Sequence, residues 1–363
     1  MTQAAPAKLG QRLDEVDTPA LILDLDAFER NQHTLFSLVK NRVRVRPHAK
    51  THKCPEVGKR QLALGAVGLC CQKVSEAEAM VDGGITDVLV SNEIVGAPKL
   101  ERLAALSRRA KIGVCVDNAD NVRAIAATGA QLDVYIEIDV GMKRCGVAPG
   151  QAAVDLAKVI LSFKNLRFAG LQAYHGRAQH IRSMEERHAA IELAAQHVRH
   201  TKDLLRQSNI GCPIVTGAGS GTFMLEVEAG AWDEIQCGSY AFMDVDYAKN
   251  EWAAPLPRFE HALFVLSTVM SRPAPEVAIV DAGLKASSVD SGMPSVWQRD
   301  LRYTHASDEH GWVEGKNPPP LGEKLLLVPG HCDPTINLYD WYVCVRGGRV
   351  EALWAITARG ALA

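Results

Sequence analysis

Short runs of apolar, β-type residues alternate with helical stretches between residues 43 and 240. This alternation is typical of βα units, which build a parallel sheet. Eight such units followed by a segment of different character favour a closed (β/α)8 TIM barrel over an open sheet. The predicted barrel strands are 43–50, 66–72, 87–92, 111–117, 133–139, 167–174, 213–217 and 234–240.

The alternation of strands and helices ends at about Pro255. Beyond it, strand-like runs follow one another without long helices. A strand-like run at residues 19–26, which leads into a helix over 27–40, is expected to join these later strands. The fold class is therefore α/β, with a C-terminal β-domain beside the barrel. We predict a barrel domain at 22–250 and a β-strand domain made of 1–21 and 251–363.

Composition narrows the classes of function. The chain has 363 residues and a formal net charge of −2, which argues against a nucleic-acid partner held by phosphate attraction. No apolar stretch of about 18 residues is present, so neither a membrane span nor a cleaved signal is expected. The nine cysteines form no regular framework, and strand-interior positions such as Cys70, Cys71 and Cys115 indicate buried thiols. A cytoplasmic protein is the expectation.

Polar residues close most of the predicted barrel strands. In such barrels, catalytic and ligand-binding residues lie at the carboxyl ends of the strands. The polar residues at these ends therefore predict an active site on that face. The residues are His48, Lys50, Gln72, Lys73, Asn92, Asp117, Asn118, Asp139, Tyr174 and His175, with Arg144 shortly after the fifth strand.

The turns after the seventh and eighth predicted strands are rich in small residues. Gly219, Ser220 and Gly221 lie in the first turn, and Gly238 and Ser239 lie in the second. Backbone N–H groups in such turns converge on anions, and this pair of loops is the usual phosphate site of the barrel. The Gly-Lys-Ser/Thr ending of a Walker loop is absent. A phosphorylated ligand is therefore predicted, although glycine also serves plain tight turns.

Lys50 ends the first predicted strand and is flanked by His48, His52 and Lys53. Nearby cations and partial burial both lower the pKa of a lysine, which favours the free amine that a Schiff base needs. A surface lysine in a basic loop is the alternative. A reactive lysine opposite a phosphate site indicates pyridoxal 5'-phosphate, whose aldehyde binds lysine while its phosphate is held elsewhere.

Residues 46–53, RPHAKTHK, resemble the cofactor-lysine motif of the D-threonine aldolase and D-serine dehydratase family, relatives of alanine racemase among fold-type III pyridoxal phosphate enzymes. The resemblance extends along nearly the whole chain. It implies that Lys50 is the Schiff-base lysine and that a head-to-tail homodimer completes the active site. Arg144 is expected at the cofactor ring oxygen or the substrate carboxylate, with Gln72 and Tyr174 along the ring and Tyr240 beside the phosphate. Matching segments are 18–21, 70–76, 137–141, 144–147, 173–176, 238–244 and 329–335.

His331 and Asp333 are the predicted metal ligands. In an extended segment, residues two apart project to one side, although a lone His-x-Asp pair is usually structural. The family resemblance implies that both bind a divalent ion, because the aldolases have Asp at the second ligand and the dehydratases have Cys. Imidazole plus carboxylate suits Mn²⁺ or Mg²⁺. Residues 308–310 could contact the site or form a surface turn.

His180 is the predicted catalytic base, because the resemblance makes it the acceptor of the substrate's β-hydroxyl proton. Imidazole can accept protons at neutral pH, and His175 is a rival. The predicted function is retro-aldol cleavage of D-β-hydroxy-α-amino acids, such as D-threonine to glycine and acetaldehyde, with pyridoxal phosphate and a divalent metal.

Other activities remain open from the sequence. A 3-hydroxyaspartate aldolase could use Arg177 for the extra carboxylate, although a salt bridge to Glu185 or Glu186 is the favoured interpretation of Arg177. A D-serine or 3-hydroxyaspartate dehydratase would expel the hydroxyl group instead, and Asp333 argues against it. A pyridoxal phosphate carrier and a metal-dependent hydrolase are the alternatives from other classes.

Overall fold

A computed structural model describes residues 4–252 and 258–363 of the chain. Residues 1–3 and 253–257 lie outside the described residues. They include Pro255, where the alternation of strands and helices is predicted to end. In the described part, the strands form one eight-stranded sheet and one nine-stranded sheet. Across the same residues, no helix is long and apolar enough to cross a membrane.

The eight-stranded sheet is parallel throughout and closes into a barrel, which confirms the predicted fold class. Its strand order is β2-β9-β8-β7-β6-β5-β4-β3. A parallel bridge between His48 and Cys70 joins the two end strands. The strands are β2 (Arg44–Val45), β3 (Leu69–Cys71), β4 (Asp87–Glu93), β5 (Lys111–Val116), β6 (Leu132–Glu137), β7 (Leu166–Ala173), β8 (Ile214–Gly217) and β9 (Glu234–Ile235).

The first and last barrel strands are shorter in the structure than predicted. The chain leaves β2 after Val45 and turns into a short helix, in which the His48 ring accepts a hydrogen bond from the Lys50 N–H at 3.4 Å. It leaves β9 after Ile235 and forms a 3-10 turn at Ser239–Ala241. Lys50 and Tyr240 therefore lie beyond the barrel strands, Lys50 in the short helix and Tyr240 in the 3-10 turn.

Helices follow most barrel strands and pack around them. The predicted helix over 183–207 is present as Met184–Gln207, capped by the Ser183 hydroxyl and buried along Ile191, Ala194 and Val198. The helices are α1 (Leu25–Val39), α2 (Ala49–His52), α3 (Pro55–Ala63), α4 (Val74–Asp82), α5 (Ala97–Leu106), α6 (Ala119–Ala127), α7 (Gln151–Leu161), α8 (Met184–Gln207), α9 (Phe223–Ala229), α10 (Val245–Ala248) and α11 (Cys332–Ile336).

The second sheet is mostly antiparallel and contains the N-terminal strand, as the sequence predicted. Strand β1 (Ala20–Asp24) lies between β10 and β16, with Ile22 opposite Phe264 and Leu23 opposite Cys344. It therefore crosses the predicted domain boundary between residues 21 and 22. The other strands are β10 (Leu263–Ala274), β11 (Val277–Val280), β12 (Ser295–Val296), β13 (Leu301–Ala306), β14 (Gly311–Gly315), β15 (Lys324–Val328), β16 (Trp341–Arg346) and β17 (Arg349–Ala355).

Seven of the nine cysteines are buried, and Cys145 and Cys212 are partly exposed. All nine lie in the described residues and are free thiols. Cys70 and Cys115 pack inside the barrel with Leu89 and Tyr135, whereas Cys71 belongs to the core between strands and helices. Their positions follow from the strand alternation that the sequence shows.

Candidate active site

A cavity of about 270 Å³ opens at the carboxyl ends of the barrel strands. It is lined by loops that follow β2, β3, β6, β7, β8 and β9, together with helix α10. The predicted site residues that it brings together are Lys50, Gln72, Arg144, Tyr174, His180, Gly219, Ser220, Gly238 and Ser239. Residues that are far apart in the sequence thus face one space.

Lys50 lies in helix α2 and faces the cavity, where 41% of its side chain is exposed. Its Nζ forms an ion pair with the Asp333 carboxylate. Burial opposes a charged amine, but Asp333 and Tyr174 outweigh burial and hold the pKa of Lys50 above its usual value. Burial likewise opposes a charged Asp333, but Lys50 holds the pKa of that carboxyl well below its usual value. Lys50 is therefore an ammonium group held by a carboxylate.

The basic neighbours of Lys50 act differently from the prediction. His48 and His52 are buried, and burial lowers the pKa of each ring to about 3, so both are neutral. Lys53 turns away and pairs with Glu76, with 3.0 Å between Nζ and Oε1. The prediction that nearby cations lower the pKa of Lys50 is wrong, because its charged partner is Asp333, 283 positions away in the sequence.

The turns after β8 and β9 offer backbone donors at the cavity wall. Ala218 has a left-handed backbone with φ of 64° and leads into Gly219 and Ser220. Within the described ranges, the backbone N–H groups of Gly219, Ser220 and Ser239 have no acceptor in the protein. Successive backbone donors of this kind form an anion-binding nest. The turns therefore fit the phosphate of pyridoxal phosphate.

Two glycines of these turns lie where a side chain has no room. A Cβ at Gly219 would be 2.5 Å from Oε1 of Gln179. A Cβ at Gly238 would be 2.4 Å from Oγ1 of Thr51. Because a larger residue would push these neighbours away, glycine lets the two turns, which together form the anion cradle, pack closely on Gln179 and Thr51.

Gly221 and Tyr240 stand behind the cradle and do not line the cavity in the described part. The Gly221 N–H donates to Oε1 of Gln179 at 2.9 Å. The Tyr240 N–H donates to Oγ of Ser220 at 2.9 Å, while its buried hydroxyl donates to Gln32 at 2.6 Å. Both residues brace the cradle, so their predicted direct contact with phosphate lacks support from the geometry.

Gln72, Arg144 and Tyr174 all line the cavity. The Arg144 guanidinium carbon is 5.9 Å from the centroid of the Tyr174 ring. Oε1 of Gln72 lies 3.1 Å from Nε2 of His48, which ties this side chain to the loop that carries Lys50. Their predicted contacts with the cofactor ring remain predictions.

His180 lies at the cavity with 48% of its side chain exposed. Its Nδ1 is 2.6 Å from Oδ2 of Asp246, and Arg182 binds the other oxygen of that carboxylate. Burial opposes charge on Asp246, but these two partners hold its pKa below the usual carboxyl value. An ionised carboxylate at Nδ1 orients the ring and directs Nε2 away from Asp246. Asp246 was missed because no local pattern in the sequence points to its partner.

His175, the rival base, does not line the cavity in the described residues. Its Nδ1 accepts a hydrogen bond from the Ala178 N–H at 3.4 Å, so it caps the turn that leads to His180. Its ring also packs closely on Gly141, where an added Cβ would lie 2.5 Å from Nε2. This arrangement favours His180 as the base.

Arg177 lines the cavity and is exposed. Among the described residues, no ion pair joins it to an acidic side chain. The favoured prediction of a salt bridge to Glu185 or Glu186 is therefore wrong. Those glutamates lie in the first turn of α8, where negative charge is favourable.

The segment of His331 and Asp333 is not extended, contrary to the prediction. Only His331 has an extended backbone, and Cys332 begins helix α11. Nδ1 of His331 lies 2.8 Å from Oδ2 of Asp290, whereas Asp333 reaches Lys50 and Ser239. Imidazole beside carboxylates is a donor set that fits Mn²⁺ or Mg²⁺, so metal binding by His331 and Asp333 remains a prediction.

Residues 308–310 form an exposed turn, which fits one of the two predicted alternatives. The Lys285 ammonium lies 2.6 Å from Glu309 and 3.8 Å from Asp308. Both acidic side chains are mostly exposed, and none of the three residues lines the cavity in the described part.

Comparisons with known proteins agree with this architecture. The profile of the alanine racemase N-terminal domain matches residues 23–246, and the profile of a putative serine dehydratase domain matches residues 262–345. A D-threonine aldolase from Arthrobacter sp is 50% identical over 364 residues, which cover 98% of this chain and 96% of the relative. The chain belongs to the D-threonine aldolase family.

Two further members of this family are closely similar. A 3-hydroxy-D-aspartate aldolase from Paracoccus denitrificans (strain Pd 1222) is 47% identical over 368 residues, covering 98% of this chain and 95% of that protein. The crystal structure of D-threonine aldolase from Filomicrobium marinum has a TM-score of 0.97 and 52% identity. That match covers 99% of this chain and 100% of the other.

Membership in the D-threonine aldolase family confirms several predictions. The family resemblance, the alanine racemase-like barrel with its β-domain and the enzyme class, a lyase of the aldolase type, are all confirmed. The family also supports dependence on pyridoxal phosphate. The roles of individual residues and the identity of the metal remain predictions.

Proposed function

We propose that the chain cleaves D-β-hydroxy-α-amino acids by a retro-aldol reaction, with D-threonine giving glycine and acetaldehyde. The observation that carries the proposal is one cavity in which the Lys50 amine, the His180 imidazole and a small-residue anion cradle meet. The relative named D-threonine aldolase, at 50% identity over nearly the whole chain, supports it.

Lys50 is the residue that would hold the cofactor covalently, while the turns at Gly219 and Ser239 hold its phosphate. When bound, pyridoxal phosphate withdraws electrons from Cα of the amino acid, so that the carbanion left by Cα–Cβ cleavage is stabilised. Asp333 keeps Lys50 charged until a ligand enters, so Lys50 must give up a proton before it reacts. Arg144 supplies a positive charge at the same cavity.

His180 is the group that would take the β-hydroxyl proton. Because Asp246 is an ionised acceptor at Nδ1, the neutral ring carries its proton on Nδ1 and leaves the Nε2 lone pair available. Transfer of the hydroxyl proton to Nε2 turns the C–O bond into a carbonyl as the Cα–Cβ electron pair moves to Cα. Asp246 and Arg182 then stabilise the charged imidazole.

His331 and Asp333 are the residues that would hold a divalent ion, which as a Lewis acid would acidify the substrate hydroxyl. Asp290, which contacts Nδ1 of His331, would orient that ring. Mn²⁺ and Mg²⁺ both suit the donor set. A homodimer with shared active sites and a cytoplasmic location remain predictions from the family resemblance and the free cysteines.

A product assay tests the proposal. The purified protein is given D-threonine, L-threonine or 3-hydroxyaspartate, with Mn²⁺ or after chelation, and glycine release is measured. We expect glycine and acetaldehyde from D-threonine only when the metal is present. Pyruvate from D-serine, or oxaloacetate from 3-hydroxyaspartate, would instead indicate a dehydratase. Glycine release that survives chelation would contradict the role of the metal. A yellow protein that acts on none of the substrates would favour a carrier, and a colourless protein would favour a hydrolase.

Cleavage of 3-hydroxyaspartate is a second candidate, favoured by Arg177, which has no acidic partner among the described residues. Its charge could bind the second carboxylate of that substrate. For Arg177→Leu we expect KM for 3-hydroxyaspartate to rise about two- to fivefold, with little change for D-threonine, because one exposed charge pair is lost. Steady-state kinetics with both substrates measure this. Arg102→Leu, in an ion pair on α5, is the control, and equal losses with both substrates would contradict the proposed role.

A further inference from the structure

Three acidic side chains meet at the carboxyl ends of neighbouring barrel strands. Glu93 ends β4, Asp117 follows β5 and Glu137 ends β6. Oxygen atoms of Glu93 and Asp117 and the sulfur of Cys145 lie within 4.8 Å of one another. The Glu137 side chain is only 6% exposed. Glu93 and Asp117 are half-buried beside it, and acids this close together need either a cation or a proton.

One cation reaches this group in the described part of the chain. Nη2 of Arg144 lies 3.7 Å from Oε1 of Glu137, and no other Lys or Arg there forms an ion pair with the three acids. Asp117 accepts a hydrogen bond from the Gly146 N–H at 3.0 Å, so the loop that carries Arg144 is tied down beside the acids.

The other face of Arg144 is turned to the active site. Its guanidinium lies over the Tyr174 ring and lines the cavity, with 43% of the side chain exposed. A long flexible side chain that is exposed to this extent loses much rotamer freedom when it is held in one place. A buried acid that already holds the guanidinium in place reduces the side-chain entropy that is lost when a ligand binds.

We propose that Glu137, backed by Glu93, is a positioning residue that holds the Arg144 guanidinium over Tyr174 for contact with the cofactor. This inference rests on the proposed cofactor role of Arg144. Neither glutamate lines the cavity in the described residues, so both act through Arg144 and not on the ligand.

The charge of the acid pair supports this arrangement. Both carboxylate oxygens of Glu93 are buried, and no N–H or alcohol O–H group of the described residues donates to them. Burial and the neighbouring Glu93 raise the pKa of Glu137 to about 8, although Arg144 opposes the shift. Near neutral pH Glu137 therefore keeps a proton that it can donate to Glu93. The pair then carries less negative charge than two ionised carboxylates, beside one guanidinium.

Other titratable groups lie near the same acids and must be considered in a pH titration of this region. They are Asp117, Cys145 and Cys115, all of which interact electrostatically with the pair or with Arg144. Burial raises the pKa of the Cys145 thiol to about 11, so it stays neutral up to that pH. An ionisation near pH 8 in this region therefore belongs to the glutamates.

A double-mutant cycle on cofactor binding tests the proposal. Apoprotein is titrated with pyridoxal phosphate for the wild type, Glu137→Gln, Arg144→Gln and the double variant, with intrinsic fluorescence as the readout. We expect about a tenfold loss of affinity for Glu137→Gln alone, and less than about a twofold further loss when Arg144 is already replaced. An undiminished loss in the Arg144→Gln background would overturn the proposal. Glu78→Gln, an exposed partner of Arg102, is the control.

A spectroscopic titration provides the second readout. The absorbance of the cofactor-loaded protein is followed from pH 6 to pH 10. In the wild type we expect an inflection near pH 8, where the second negative charge appears beside Arg144, and its loss in Glu137→Gln. An inflection of full size in that variant would overturn the proposal.

A third variant covers the case in which Glu137→Gln does not fold. Glu93→Gln enters the same cycle, and we expect its effect on cofactor affinity also to vanish in the Arg144→Gln background. Persistence of that effect would overturn the proposal. These outcomes are separate from the proposed lyase activity, which the glycine assay tests in the wild-type protein.

Discussion

Replacement of Lys50 by alanine is expected to abolish activity and the visible absorbance of the cofactor bound to lysine. Lys50 is the only lysine that lines the described cavity, and Asp333 holds its amine there. We expect glycine release to fall by about 10³-fold or more, as when a central member of a catalytic unit is removed. Absorbance spectra of the protein with added cofactor, and the glycine assay, measure the effect.

The electrostatic role of Lys50 needs a separate variant. Lys50→Arg keeps a positive charge opposite Asp333, but a guanidinium stays protonated and cannot attack an aldehyde. We therefore expect Lys50→Arg to be as inactive as Lys50→Ala, with a more stable fold. Lys59→Ala, at an exposed ion pair of α3, is the control and should be fully active. Activity of either Lys50 variant close to the wild type would refute the assignment.

Replacement of His180 by alanine is expected to lower kcat by about 10²- to 10³-fold, because a general base is removed from the transition state. Since His180 is proposed to act on the proton and not on substrate binding, KM should change little. Cofactor absorbance should remain, which separates this variant from Lys50→Ala. Added imidazole should restore part of the rate, because the cavity next to the half-exposed His180 can admit it.

Asp246 should share in this effect through His180. Asp246→Asn removes the charge that orients the ring, so we expect about a 10- to 100-fold lower kcat, with partial recovery in Asp246→Glu. The 2.6 Å contact between Asp246 and Nδ1 is the basis of this expectation. His188→Ala, on the exposed face of α8, is the control. A His180→Ala variant with normal kcat would show that another group takes the proton.

The barrel strands show how much of the fold the local sequence pattern predicts. Each predicted barrel strand overlaps an observed one, because alternation of apolar runs and amphipathic helices is a property of neighbouring residues. The ends of β2 and β9 were predicted too late, since capping by His48 and the 3-10 turn at Ser239 interrupt runs that look continuous. The segment 331–333 was mistaken for an extended one because a five-residue helix leaves too little periodicity.

Candidate residues were predicted more reliably than their electrostatic partners. Lys50 and the glycine-rich turns were predicted to share one face because strand endings of a barrel converge there, and His180 was added from the family resemblance. All of them line the cavity, while their roles remain predictions. The pKa direction of Lys50 was predicted wrongly, because its sequence neighbours are neutral or turned away. Arg177 was assigned a salt bridge from nearby glutamates that in fact stand at the start of α8.

The amino-acid order by itself determined that this is an α/β barrel with a second β-domain, that Lys50 and the small-residue turns share its carboxyl face, and which family it resembles. Only the tertiary structure decided which charges meet. Asp333 reaches Lys50 across 283 positions, and Asp246 reaches His180 across 66. Local patterns report spacing and polarity over a few residues. An ion pair depends instead on the positions of distant loops and on side-chain rotamers, which are determined only when the chain folds.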